Sequence, residues 1–299
     1  MMLKNFGQME QFVREQSGKK RVALAAAHDA DALGSLMMAV DRGIAEAILI
    51  GRRKEIVRVL DEMGKDAGDF RIIEEEDDRF AADKAVELVH CGEADMPMKG
   101  LMHTSTFMKA ILDKEKGLKE EGNLLSQASV FEIPEKDRFL IISDCAVNID
   151  PDLETKIKIT ENAAALAHTL GIEQPKIAVL SAVEVVNPKI RSTVDAAAMR
   201  ERLSDRYLID GPLALDNAID EAAAHHKGIE SPVAGNADIL IVPDLWSGNI
   251  FSKGLVFFAH LRSAGTLNGL KAPVVMSSRT DTVENKYLSI LTAVLQTIR

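Results

Sequence analysis

Four short segments carry the residue types from which a phosphate- or thioester-handling site is built. SSRTDTVENK sets two hydroxyls, Ser277 and Ser278, beside Arg279, whose planar guanidinium suits a phosphate. Asp281 followed by Glu284 has capping-box spacing, which puts Asp281 at the N-cap of a closing helix, where free amides and the positive dipole end favour an oxyanion. A capped surface helix with an incidental arginine is the alternative; strand end, hydroxyls, arginine and helix start together outweigh it. WSGNIFSKG offers Gly248 and Asn249 for a tight turn or a close backbone approach to a ligand, with Lys253 either reaching a phosphate or simply solvated. SDCAVNIDPDL carries Cys145, a reactive thiol or, as is commoner for a lone cysteine beside a sheet, packing. PMKGLMHTST places Lys99 and Gly100 just before a helix that Thr104 caps.

Charge supports an anion near these segments. The chain has 46 acids and a formal net charge of -10, yet residues 245–280 contain no acid and hold Lys253, Arg262, Lys271 and Arg279. A locally basic stretch in an acidic protein is where a bound anion is expected, although a buried apolar helix over 250–264 would also exclude acids. Several common site motifs are missing. The loop after the first strand reads AAAHDADALGS, not GxGxxG, and neither GxxxxGK[ST] nor GxSxG occurs. His225 and His226 are adjacent, so on a helix they point about 100° apart and cannot form an i, i+4 zinc pair. A metal is not expected.

The elements that must position these segments alternate. Strands are predicted at 22–27, 47–50, 70–73, 139–143, 176–182, 237–243 and 272–276. Helices are predicted at 31–42, 53–64, 79–90, 104–116, 153–170, 193–203, 213–226, 250–264 and 283–298. That rhythm implies right-handed βαβ units and mostly parallel sheets, with ligands at the carboxyl ends of strands. Only 4% of residues are aromatic, in keeping with helices on buried parallel sheets. The polar stretch KEEGNLLSQ is the first domain boundary. The acidic balance excludes nucleic acid and anionic membrane as partners. Two cysteines make no disulfide framework, the N-terminal MMLKNFGQMEQFVREQ reads as an amphipathic helix without a signal-peptide core, and no apolar run nears the ~18 residues of a membrane span. A soluble, cytoplasmic protein is expected.

VALAAAHDADAL, ADMPMKGLMHTSTFMKAIL, SDCAVNIDPDLETK, LSAVEVVNPKI, DGPLALDNAI, VAGNADILIVPDLWSGNIFSKGL and GLKAPVVMSSRTD together resemble the phosphate acetyl/butyryltransferase family over nearly the whole chain, its butyryl members most closely. The resemblance implies two α/β domains with an interdomain cleft, similar to the isocitrate/isopropylmalate dehydrogenase-like fold. It implies a discontinuous first domain, 1–124 plus 275–299, a second domain, 125–274, and a homodimer. It also implies reversible exchange of a short acyl chain between coenzyme A and inorganic phosphate, both as substrates, with no bound cofactor. Carried over residue by residue, the Ser-Arg pair before the last helix is Ser278–Arg279, the cysteine of the DCAVN loop is Cys145, and the asparagine and lysine of the later loop are Asn249 and Lys253. Acetyl-type members have arginines where this chain has Lys109 and Phe257, and a small or acidic residue and Ala where it has Trp246 and Ser247. Their carboxylate base falls near Asn285, so Asp281 or Glu284 must serve.

The mechanism this implies has Arg279 holding phosphate and Ser278, with helix amides, stabilising the tetrahedral oxyanion. Asp281 is the base, and Lys99, Thr104, Lys109, Cys145, Asn249, Lys253 and Ser277 line the substrates. Trp246, Phe257 and Phe258 are either an acyl pocket or, for the two phenylalanines, ordinary core. Two other readings remain: a non-catalytic acyl-CoA sensor, and a metal- and NAD-dependent decarboxylating dehydrogenase lacking its aspartate cluster.

Overall fold

A computed structural model describes residues 1–299 apart from Ser17. The chain begins with α1 (Phe6–Glu15), then alternates β1 (Lys20–Ala25), α2 (Ala30–Asp41), β2 (Ala45–Gly51), α3 (Arg53–Glu62), β3 (Arg71–Glu74), α4 (Asp78–His90), β4 (Met96–Lys99) and α5 (Thr104–Ile111). There follow β5 (Ser126–Ile133), β6 (Arg138–Ser143), α6 (Leu153–Thr169), β7 (Lys176–Leu180), α7 (Arg191–Leu203), β8 (Leu208–Leu213), α8 (Leu215–Ile219), α9 (Glu221–His226), β9 (Ile239–Ile241) and α10 (Leu245–Phe257). β10 (Ser263–Asn268) and α11 (Val283–Gln296) close the chain.

Two compact units result, one of Phe6–Asn123 with Ala264–Arg299 and the other of Met1–Asn5 with Leu124–Ser263. The first return thus falls at 264, ahead of the expected 275, and the first five residues belong with the second unit. The first unit holds a wholly parallel sheet in the order β3-β2-β1-β4. Its strands are buried runs such as VALA, covered on both faces, which is why they read as continuous apolar segments. α11 closes it with eleven buried residues, Asn285 to Leu295. In the second unit the strands run β5-β6-β9-β7-β8, with β5 antiparallel to β6 and the rest parallel. Among the described residues no helix is long and apolar enough to cross a membrane.

The structure departs from the sequence expectation at several points. The helix expected to Lys116 stops at Ile111, because the Asp113 carboxylate accepts the amides of Glu115 and Lys116 in a turn. The helix expected over 213–226 is two short ones, preceded by the unforeseen strand β8; Asp220 ends the first and N-caps the second. The helix expected over 250–264 is α10, starting earlier because Asp244 caps it through the Ser247 amide at 2.8 Å. β10 takes the space left behind it. APVVM makes only isolated bridges, the Val275 amide donating to Pro97 O and the Lys99 amide to Val275 O, both at 3.0 Å. That pairing lays the segment leading to Ser277 alongside β4.

Candidate active site

The carboxyl end of β4 and the loop before α11 meet within the first unit, and there the buried cations concentrate. Lys99 ends β4 and is only 4% exposed. Gly100 follows because nothing larger fits: a Cβ there would lie 2.3 Å from Ala26 O and 2.6 Å from Ala25 O. The Lys99 ammonium donates to Gly100 O at 3.3 Å. Burial first, and then the neighbouring Arg279 charge, push its pKa below the usual lysine range; Asp29 and Asp281 oppose this and Lys286 adds to it.

The 277–281 loop is braced from both sides. The Ser278 amide donates to Asp281 Oδ2 at 2.7 Å, and Ser278 Oγ lies 3.1 Å from Thr280 Oγ1. Asp281 is therefore not the N-cap. Thr282 caps α11, accepting the Asn285 amide at 3.1 Å, and Asp281 instead turns back to tie the loop. The Ser278 main-chain donor is thereby taken, leaving its exposed hydroxyl as the group it offers a ligand. Ser277 is buried. Arg279 is exposed, with a guanidinium nitrogen 3.3 Å from His103 Nδ1.

Lys286, which sequence reasoning missed, sits one turn into α11 and is 3% exposed. Its ammonium donates to the main-chain oxygens of Asp281 and Arg279, holding in place the loop that bears the arginine. His103 and Asp29 were missed as well. A lysine in a helix reads as solvated, and no local signal reports its burial. Thr104 does not cap α5 as expected: it is the first helical residue, exposed, and His103 stands at the N-cap without a side-chain capping bond. Lys109, farther along α5, lines a different depression with Arg79, Asp83, Glu87 and Asp113.

Cys145, Asn249 and Lys253 belong to the second unit. The Asp144 carboxylate gathers the SDCAVN loop, accepting amides from Gln127, Ala146, Val147 and Asn148 and the Asn148 side chain at 2.6 Å. Gly248 presses on that loop so closely that a Cβ would lie 2.4 Å from Asp144 O, and Asn249 Nδ2 donates to Cys145 O at 3.1 Å. Cys145 is 3% exposed, and burial, with the Asp144 charge second, pushes its thiol up to about 12. It is a packing cysteine that shapes the loop. Lys253 is exposed on α10. Trp246, Phe257 and Phe258 are neither core nor an enclosed pocket: they are 59%, 53% and 90% exposed.

A strand-end cluster of buried lysines beside an exposed arginine and a hydroxyl, on an α/β fold, has the chemistry to handle an oxyanion. The model of the family described as phosphate acetyl/butaryl transferase matches residues 79–294. A phosphate butyryltransferase of Clostridium acetobutylicum is 46% identical over 98% of both chains. A phosphate acetyltransferase of Thermotoga maritima is 42% identical over 94% of this chain and 97% of its own. Among solved structures, a branched-chain phosphotransacylase from Enterococcus faecalis superposes with a TM-score of 0.83 at 34% identity, covering 93% of this chain and 98% of that one. The chain belongs to the phosphate acetyl/butaryl transferase family; it is a phosphate acyltransferase.

Proposed function

We propose that this enzyme moves a short acyl group, butyryl or one of similar length, between coenzyme A and inorganic phosphate, with the cluster around Arg279 as its phosphate site. The observation that carries this reading is the convergence of Arg279, Lys99 and Lys286 at one strand end, with Asp29 and Asp281 opposing their charge at Lys99. A phosphate dianion fits that charge, and Arg279 has the planar fork to orient it. Phosphate attacks the thioester carbon, and the Ser278 hydroxyl donates to the oxyanion that develops. Asp281 serves by holding the Ser278 amide.

The likeness to butyryl- and acetyltransferases supports the acyl range, and the chain length within it is the finer part of the proposal. We also propose a homodimer, because Trp246, Ile250 and Phe257 repeat along one face of α10 and are 59%, 71% and 53% exposed. The test of the reaction is thiol release from acetyl-, butyryl- and isobutyryl-CoA with and without phosphate. Release that requires phosphate and is fastest for butyryl-CoA supports the reading. Tight acyl-CoA binding without turnover would replace it with the sensor.

A further inference from the structure

The family resemblance leaves proton transfer without its carboxylate, since Asn285 stands where one is expected and is 7% exposed with its amide on the Thr282 cap. Asp281, the substitute read from the sequence, already braces the loop through Ser278. Of the proton-bearing groups in the cluster, Lys286 is bonded to two main-chain oxygens and His103 lies against Arg279, which leaves Lys99 the least engaged. Its ammonium has three donors, while the single acceptor bonded to it among the described residues is Gly100 O at 3.3 Å, a long bond for a side chain 96% buried. Such an under-bonded buried ammonium is ready to bond a ligand oxygen. The charged groups facing it are Arg279 and Asp281 from the loop before α11, Lys286 from α11 and Asp29 from the loop before α2, with His103 touching Arg279. Burial first, and then the two neighbouring cations, ease the loss of its proton, which is what a lysine that exchanges protons requires.

We propose that Lys99 is a catalytic residue that carries the proton between phosphate and the coenzyme A sulfur. This rests on Arg279 holding the phosphate, as argued above. Hydrogen phosphate dianion attacks the thioester carbon and forms the new C–O bond. Collapse of the tetrahedral intermediate breaks the C–S bond, and the sulfur leaves with the electron pair. The sulfur takes a proton from the Lys99 ammonium, and the proton that the phosphate oxygen must lose replaces it, so Lys99 ends as it began. In the reverse direction the Lys99 ammonium gives its proton to the departing phosphate oxygen and, thereby neutral, accepts the thiol proton. An unperturbed thiol has a pKa of about 8.5, so it needs such an acceptor at neutral pH.

The test compares wild type with Lys99→Arg and Lys99→Met in both directions, as kcat and KM over pH, with thermal unfolding as the fold check. Arginine keeps the charge and does not give up a proton. Lys99→Arg is expected to lose kcat by about 100-fold while KM for phosphate moves less than threefold. Both directions start from the Lys99 ammonium, so wild-type kcat is expected to fall as pH rises through a lysine pKa below the ordinary 10.5, and in Lys99→Arg that limb is expected to disappear. Lys99→Met is expected to regain activity with added primary amines, in an order set by amine pKa. Wild-type kcat and pH profile in Lys99→Arg, or a change in phosphate KM alone in both variants, would overturn the proposal. Should neither variant fold, the wild-type profile decides: a kcat in the reverse direction that is flat in pH and free of a solvent isotope effect leaves Lys99 no proton to move. Absence of phosphate-dependent thiol release in wild type is a separate outcome and removes the underlying reaction instead.

Discussion

Replacing Arg279 by alanine isolates the phosphate site from the fold. The side chain is exposed and bonds only His103 among the described residues, at 3.3 Å. The loop is held by other groups: the Asp281 carboxylate on the Ser278 amide, and the Lys286 ammonium on the Asp281 and Arg279 main-chain oxygens. Stability should therefore change by no more than about 0.5 kcal/mol, as for a surface substitution. Hydrogen bonds to charged groups contribute roughly 1.5–3 kcal/mol each, and a guanidinium makes two to a phosphate. Lys99 and Lys286 remain to attract the anion, so the net loss should be about 2–4 kcal/mol, or roughly 30- to 1,000-fold in kcat/KM at 1.4 kcal/mol per tenfold. Initial rates of butyryl-CoA phosphorolysis over a range of phosphate should show KM rising first. A second signature follows from Arg279 being the strongest charge acting to lower the Lys99 pKa. Its removal should move any Lys99-dependent limb of the pH profile to higher pH. Kinetics within threefold of wild type in a folded Arg279→Ala protein would refute the assignment of the phosphate site.

Gly100→Ala should fail at the backbone: a Cβ at 2.3 Å from Ala26 O forces β4 away from β1 and carries Lys99 with it. A cost of about 1–3 kcal/mol is expected for such overpacking, seen as a lowered melting temperature together with lost activity. Of the two thiols, exposed Cys91 should react rapidly with an aromatic disulfide at pH 8, and Cys145 only after unfolding. Cys145 also gives a pH signature. Its folded pKa is raised from 9.0 to about 12, so its contribution to stability is full below pH 9 and is lost as pH climbs toward 12. Urea midpoints of wild type should fall more steeply across that window than those of Cys145→Ala. Trp246→Glu combined with Ile250→Glu should convert a dimer to a monomer by light scattering; an unchanged mass would place the interface elsewhere.

Much of the fold was legible because parallel strands and their helices differ in period, and each half of the chain repeats the alternation. What escaped had physical reasons. β4 is four residues, Met96–Lys99, with Pro97 in it, and β10 is SAGTLN, with too few β-branched residues to announce a strand. β8 carries Gly211 and Pro212, two residue types depleted in strands, so it did not announce itself as one. APVVM looked like a strand and contributes two residues of pairing, because it is consumed in bringing Ser277 beside β4. In the candidate site, Ser278 and Arg279 could be singled out from sequence since their chemistry is written in their side chains. Lys286 and the bracing role of Asp281 could not, because both depend on where a folded loop presents its carbonyl oxygens and amides.

The proposed phosphate site also has to overcome the charge of the protein around it. A net charge of -10 repels phosphate at a distance, so the attraction has to be local. Placing it at the surface would leave it screened within about 10 Å by salt. Here Lys99 and Lys286 are 4% and 3% exposed, and burial strengthens their pull on an anion that displaces the water near them. Burial also makes mutual repulsion of the three cations costly while the site is empty, and the fold offsets it with Asp29, Asp281 and the carbonyls that Lys286 engages. Lys286 engages the carbonyls and Asp281 ties the loop, while Asp29 and Asp281 act on Lys99 by charge alone. Lys99 keeps one long hydrogen bond, so it is the member of the cluster with most bonding capacity left for a bound phosphate.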